Sequence, residues 1–189
     1  MAEPGGSQHV RDAGSMRALA HPTRLRLLGE LRAEGPRSVG GLAGVVDEAP
    51  GSVSYHLGVL AEHGFVAEAP ELARSRRERW YRATHERSRW DVLDVVDDPE
   101  ARAALDVLRA TVHRRYAQVL EDYLAREAHL PREWVAAAAS GDELLHLRAD
   151  QLAQLREDLH ALASRYARLS DREDPDAEGV MFVYHAFRR

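Results

Sequence analysis

In Ser52-Val53-Ser54-Tyr55-His56-Leu57, three hydroxyl side chains and an imidazole crowd one short stretch, and further on Arg74, Arg76, Arg77 and Arg79 crowd another. Hydroxyls on the first turn of a helix reach phosphate oxygens or base edges, and the backbone N–H groups there favour an anion. Guanidinium groups on a loop beside them suit backbone phosphates or a minor groove. The shared chemistry is recognition of a nucleic acid duplex, with Ser52, Ser54 and Tyr55 as the first candidates for contact. His56 leaves two readings open, a packing or hydrogen-bonding role and a phosphate contact. The bland alternatives are a surface aromatic at Tyr55 and a solvated charged loop around Arg76.

Such side chains work only if the helix start is presented outward with the basic loop next to it. A short helix over Ser15 to Ala20 stops near His21-Pro22, because the residue before proline is pushed out of helical geometry. From Thr23 to Ala33, Leu25, Leu28 and Leu31 recur beside Leu27 as an apolar stripe, which Gly35-Pro36 ends. Ser38 can cap a third helix that buries Leu42, Val45 and Val46. Pro50-Gly51 reads as a turn and Ser52 as the cap of a fourth helix, with Val53, Leu57 and Leu60 inward, Ser54, Tyr55 and Gly58 outward, and Gly64 as the stop. Phe65 to Ala69 and Arg79 to Thr84 read as two strands joined by a loop from Pro70 to Glu78 that carries the arginines. Helix, helix-turn-helix and a two-stranded wing is the winged helix-turn-helix order. In it the second helix of the pair enters the major groove. That assigns the major groove to the 52–63 helix, and the backbone or minor groove to the 70–79 wing.

The formal charge of −5 over 189 residues is unevenly distributed. Through Val95 thirteen Arg meet thirteen Asp plus Glu, whereas from Val96 onward thirteen meet eighteen, so the acid excess lies in the second half. Between Glu71 and Arg89 seven arginines face three glutamates, a local basic patch sufficient for phosphate contact. All basic residues are Arg and none Lys, a bias that GC-rich coding explains as readily as nucleic acid binding. With 44% hydrophobic and 30% charged residues the chain can bury a core in one domain or two small ones. No apolar run suits a membrane span and the polar start carries no secretion signal, which makes a cytoplasmic location the expectation.

Two motifs, Ala18-Leu19-Ala20-His21-Pro22-Thr23-Arg24-Leu25-Arg26-Leu27-Leu28 and Ser52-Val53-Ser54-Tyr55-His56-Leu57-Gly58-Val59-Leu60-Ala61-Glu62-His63-Gly64-Phe65-Val66, resemble those of ArsR-type transcriptional regulators. The resemblance covers roughly the first half of the chain. It implies a homodimeric regulator that binds double-stranded operator DNA, commonly a repressor released by a ligand.

After Trp90 the pattern changes. Asp98-Pro99-Glu100 signals a helix start, and Leu105, Leu108, Val112, Tyr116, Val119 and Tyr123 follow at mainly three- and four-residue steps. Leu152, Leu155, Leu159, Leu162, Tyr166 and Leu169 repeat that spacing on a second helix. Each seam needs a partner helix, in a second chain or in the protein's own core. Leu144 to Arg148 and the run Val180 to Phe187 read as strands able to pair, the latter buried on both faces, and the apolar interior with Trp134, Tyr184 and His185 nearby leaves two readings open, an effector pocket and a core that holds only itself. The expected fold is mainly α (α+β): a flexible tail over 1–14, a winged helix-turn-helix domain over 15–90, and over 91–189 long helices with a small two-stranded element for dimerisation and an unknown small-molecule effector.

The absence of cysteine removes disulfides and thiolate metal sites. Asp158-Leu159-His160 is superficially like half of a His/carboxylate zinc or nickel site, but residues two apart point to different helix faces and no second pair follows, so closing one would need ligands from another chain; no metal or other cofactor is expected within this one. The motifs GxxxxGK[ST], GxSxG and HExxH are absent too, and no enzymatic activity is expected. The rival from another class is a winged-helix scaffold for protein interaction without specific DNA binding. The basic wing beside Ser54 and Tyr55 favours DNA.

Overall fold

The computed structural model describes residues 6–189, which form two compact units divided at Asp122/Tyr123. The first opens with β1 (Ser7–His9), in a stretch expected to be a loose tail, whose first five residues lie outside the described ones. Asp12 caps α1 (Ala13–Leu19) by accepting from the Ser15 amide. Next comes α2 (Pro22–Ala33), started by Pro22 in its first turn, where the missing N–H costs nothing. Leu27, Leu28 and Leu31 of that helix are buried.

A two-residue strand β2 (Arg37–Ser38) leads into α3 (Val39–Val46), which Ser38 caps through the Gly41 amide as its sequence suggests. Asp47, in left-handed geometry, ends α3. Then α4 (Pro50–Glu62) begins, with Val53, Leu57 and Leu60 in the core. Gly64, at φ +70°, turns the chain into β3 (Val66–Glu68). A 3-10 turn at Pro70–Leu72 precedes β4 (Trp80–Ala83), which pairs antiparallel with β3 as the expected wing.

Two further strands go beyond the expected pair: β2, which adds to the far side of β4, and β5 (Arg87–Arg89), which pairs parallel with β1. Half-buried Arg32 fastens α2 to this edge, its Nε donating to the His85 carbonyl at 2.9 Å and Nη2 to Ser88 Oγ at 3.0 Å. Burial pushes its guanidinium down to about 10.

Asp98 accepts from the Glu100 and Ala101 amides, marking the anticipated start of α5 (Pro99–Arg126). Ala101, Ala104, Leu105, Leu108 and Val112 of α5 join Met16, Leu27, Leu57, Phe65 and Tyr81 in one apolar core.

The second unit holds α6 (Arg132–Ala137) and α7 (Ala149–Ala167). None of its helical residues is fully buried, and the Leu152, Leu155, Leu159 and Leu162 seam of α7 is half-buried. Residues 144–148 and 180–187 form no strand, contrary to expectation. Leu144, Leu145, Val180, Met181, Phe182 and Phe187 are instead exposed. Their β-favouring side chains find no neighbouring strand to supply a ladder, and strand propensity is weak without one. The effector pocket expected at Trp134, Tyr184 and His185 therefore lacks its sheet, although Tyr184 does stack edge-on against His160 at 6.2 Å.

Candidate nucleic-acid interface

Three elements place the candidate residues. Pro50 occupies the first turn of α4 and Ala49 its N-cap, so the helix starts before Ser52. Ser52 is thus not the cap; its Oγ donates to Glu48 Oε2 at 2.7 Å. Thr23 Oγ1 donates to the other oxygen, Oε1, at 2.6 Å, so Glu48 ties the start of α2 to the start of α4. These two hydrogen bonds hold the Glu48 carboxyl below its ordinary range.

Tyr55 projects from this first stretch of α4 with 66% of its surface exposed. His56, one position on, is only 8% exposed. Its ring lies 4.6 Å from that of His21 and 5.4 Å from that of Tyr55, and its Nε2 is 3.9 Å from Glu48 Oε2. Burial lowers the pKa of both His21 and His56. The Nδ1 atoms of the two rings are buried without a hydrogen-bond partner among the described residues. This environment favours neutral imidazoles, with the His56 ring in contact with those of both His21 and Tyr55.

Ser54 meets the wing directly, its Oγ accepting from Arg79 Nη1 at 3.2 Å. Arg79 Nη2 also donates to Glu68 Oε1 on β3 and to the Tyr81 hydroxyl. Arg79 is therefore a brace between helix and wing. Arg74, Arg76 and Arg77 lie exposed on the loop, where the Arg74 amide donates to Glu78 Oε2 at 2.9 Å. The side chains of Arg76 and Arg77 have no ion pair or hydrogen bond among the described residues.

Glu48, Thr23, His21 and Glu68 escaped the sequence reading. Glu48 lies outside α3 and α4, before the Ala49 cap, so helical spacing gave no signal for its contact with Ser52. Glu68 is recognisable only once the β3–β4 register places Glu68 opposite Tyr81.

Residues 19–69 match the family model described as a helix-turn-helix domain, a span that contains α2, α3, α4 and β3. This segment is a helix-turn-helix domain. With the β3–β4 hairpin it is winged. Among solved structures, the chain is similar to the homodimeric winged helix-turn-helix DNA-binding domain of a possible ArsR-family transcriptional regulator from Mycobacterium bovis. The identity is 24%, with 64% of this chain and 86% of that one covered at a TM-score of 0.34. It is also similar to a transcriptional regulator from Thermotoga maritima, at 16% identity, with 79% of this chain and 78% of that one covered and a TM-score of 0.32. No curated protein matches. Among the described residues no helix is long and apolar enough to cross a membrane, and no group of three His, Cys, Asp or Glu side chains could hold a metal ion.

Proposed function

We propose that the chain is a sequence-specific DNA-binding repressor acting as a homodimer in the cytoplasm. Residues 15–90 carry the DNA contacts and residues 91–189 hold two copies together. The observation that carries the reading is the brace from Arg79 to Ser54, which joins the exposed Tyr55 helix and the free Arg76 and Arg77 of the wing into one presented surface. Tyr55 and the outward atoms of the first α4 turn read base edges, while Arg74, Arg76 and Arg77 hold phosphates.

The dimer reading is supported by the second unit, whose α7 seam is only half-buried in a single chain. Val107, Leu120 and Leu124 are also exposed on α5. Two recognition helices separated by about one helical turn of DNA give a useful affinity that one short module lacks. Repression follows the resemblance to ArsR-type regulators.

The test is a mobility-shift titration of the full chain on genomic fragments with excess non-specific competitor, alongside sedimentation equilibrium at micromolar concentration. Retention of a small subset of fragments by a two-chain species supports the proposal. Equal displacement from every fragment favours the scaffold reading, and a monomer mass contradicts the dimer.

A further inference from the structure

Pro22, Arg26, Thr111, Arg114, Arg115 and Gln118 line a cleft of about 220 Å³ between the first turns of α2 and the middle of α5. Three of the six are arginines and none is acidic. Arg26 is held by its outer nitrogens, Nη2 donating to the Val45 carbonyl at 2.6 Å and Nη1 to that of Val46 at 3.2 Å, which leaves its Nε uncommitted. Arg114 Nη2 donates to Thr111 Oγ1 at 3.1 Å. Arg115 is half-buried, and its guanidinium has no ion pair or hydrogen bond among the described residues. One acid is tied to the lining: Asp122 accepts from Gln118 Nε2 at 3.0 Å.

Three arginines line the cleft with no acid among the lining residues, and a half-buried cation such as Arg115 without a counter-charge is unfavourable unless something supplies one. A planar guanidinium presents parallel N–H groups that match the two oxygens of a carboxylate or phosphate. At about 220 Å³ the cleft lies below the roughly 300 Å³ at which pockets for drug-sized ligands start, which limits an occupant to a small ion or molecule. We propose that this cleft binds a small molecule bearing a carboxylate or phosphate group, with Arg115 as the bidentate contact and Arg114 and the Arg26 Nε as supporting donors. Arg26 reaches the carbonyls at the end of α3, so the site lies one side chain from the turn that leads into the recognition helix.

The experiment is thermal unfolding of the full chain without DNA, titrated with pyrophosphate or with citrate and compared with sodium chloride of equal ionic strength. A ligand at ten times its Kd raises the folded-to-unfolded ratio about elevenfold, with a saturable dependence that chloride does not reproduce. Arg115→Gln should move the midpoint to at least tenfold higher anion concentration, while Arg102→Gln, outside the cleft and paired with Asp106, leaves it in place. If Arg115→Gln melts too early to titrate, isothermal calorimetry on Arg115→Lys reads the same loss, because an ammonium cannot replace the fork. A rise that merely tracks ionic strength, or the same saturating isotherm in the Arg115 variants, overturns the proposal. Absence of anion binding together with weaker DNA binding by Arg115→Gln overturns it too, by making Arg115 a phosphate contact for DNA. Because the titration contains no DNA, its failure leaves the DNA-binding proposal standing.

Discussion

Replacing Arg76 and Arg77 by glutamine removes two cations that are fully available to phosphate, since neither side chain is spent on a partner among the described residues. Each phosphate neutralised on duplex DNA contributes about 0.9 to the slope of log affinity against log salt concentration. Loss of both makes the slope shallower by about 1.8 for each bound protomer. Between 50 and 200 mM salt the wild type should therefore lose about twelvefold more affinity than the double variant, per protomer. Fluorescence anisotropy with one duplex across that range measures the difference. The effect should be nearly independent of DNA sequence, because phosphate contacts carry no base information. An unchanged slope would refute the assignment of the wing to the DNA backbone.

Tyr55→Ala removes the exposed ring on α4, and the preference for the correct site over a mismatched duplex should fall by about 1–3 kcal/mol with little change in salt slope, as competition titrations would show. Leu57→Ala empties a fully buried position in the shared core and should cost about 2–5 kcal/mol of stability at constant m-value in urea. Burial holds His21 and His56 below the ordinary imidazole value near 6.5, so at mildly acidic pH the unfolded chain binds protons that the folded chain does not. Stability should therefore fall as pH drops below about 6.5, and a flat profile of denaturation midpoints from pH 7 to 5 would contradict this. Glu48, with its pKa lowered, adds stability above the unfolded carboxyl value that is lost further down, below about pH 4.5, and Glu48→Gln should remove that acid limb from the same profile.

The helices of the first unit were legible because their signals are local. Leucine spacing marks α2, Ser38 caps α3, and Gly64 stops α4. The start of α4 was misplaced for an equally local reason. Pro50-Gly51 suits a turn, yet proline also suits the first helical position, and Glu48 takes the Ser52 hydroxyl that a cap would need. The pairings of β2 with β4 and of β1 with β5 join segments far apart in sequence, and β1, β2 and β5 are only two or three residues long, too short for periodicity to register. The opposite error arose at 144–148 and 180–187, where strand-favouring residues suggested a ladder that the fold does not build. In the interface, Tyr55 and the wing arginines were readable from residue type and order. The conversion of Arg79 into a brace depends on where Ser54, Glu68 and Tyr81 meet in space.

Selection of bound fragments from a random duplex pool by the 189-residue chain tests whether α4 reads base sequence. The account predicts enrichment of a two-fold symmetric site, its half-sites about one helical turn apart, and loss of that enrichment with Tyr55→Ala. A pool that stays random while DNA is still retained would contradict sequence-specific reading by α4.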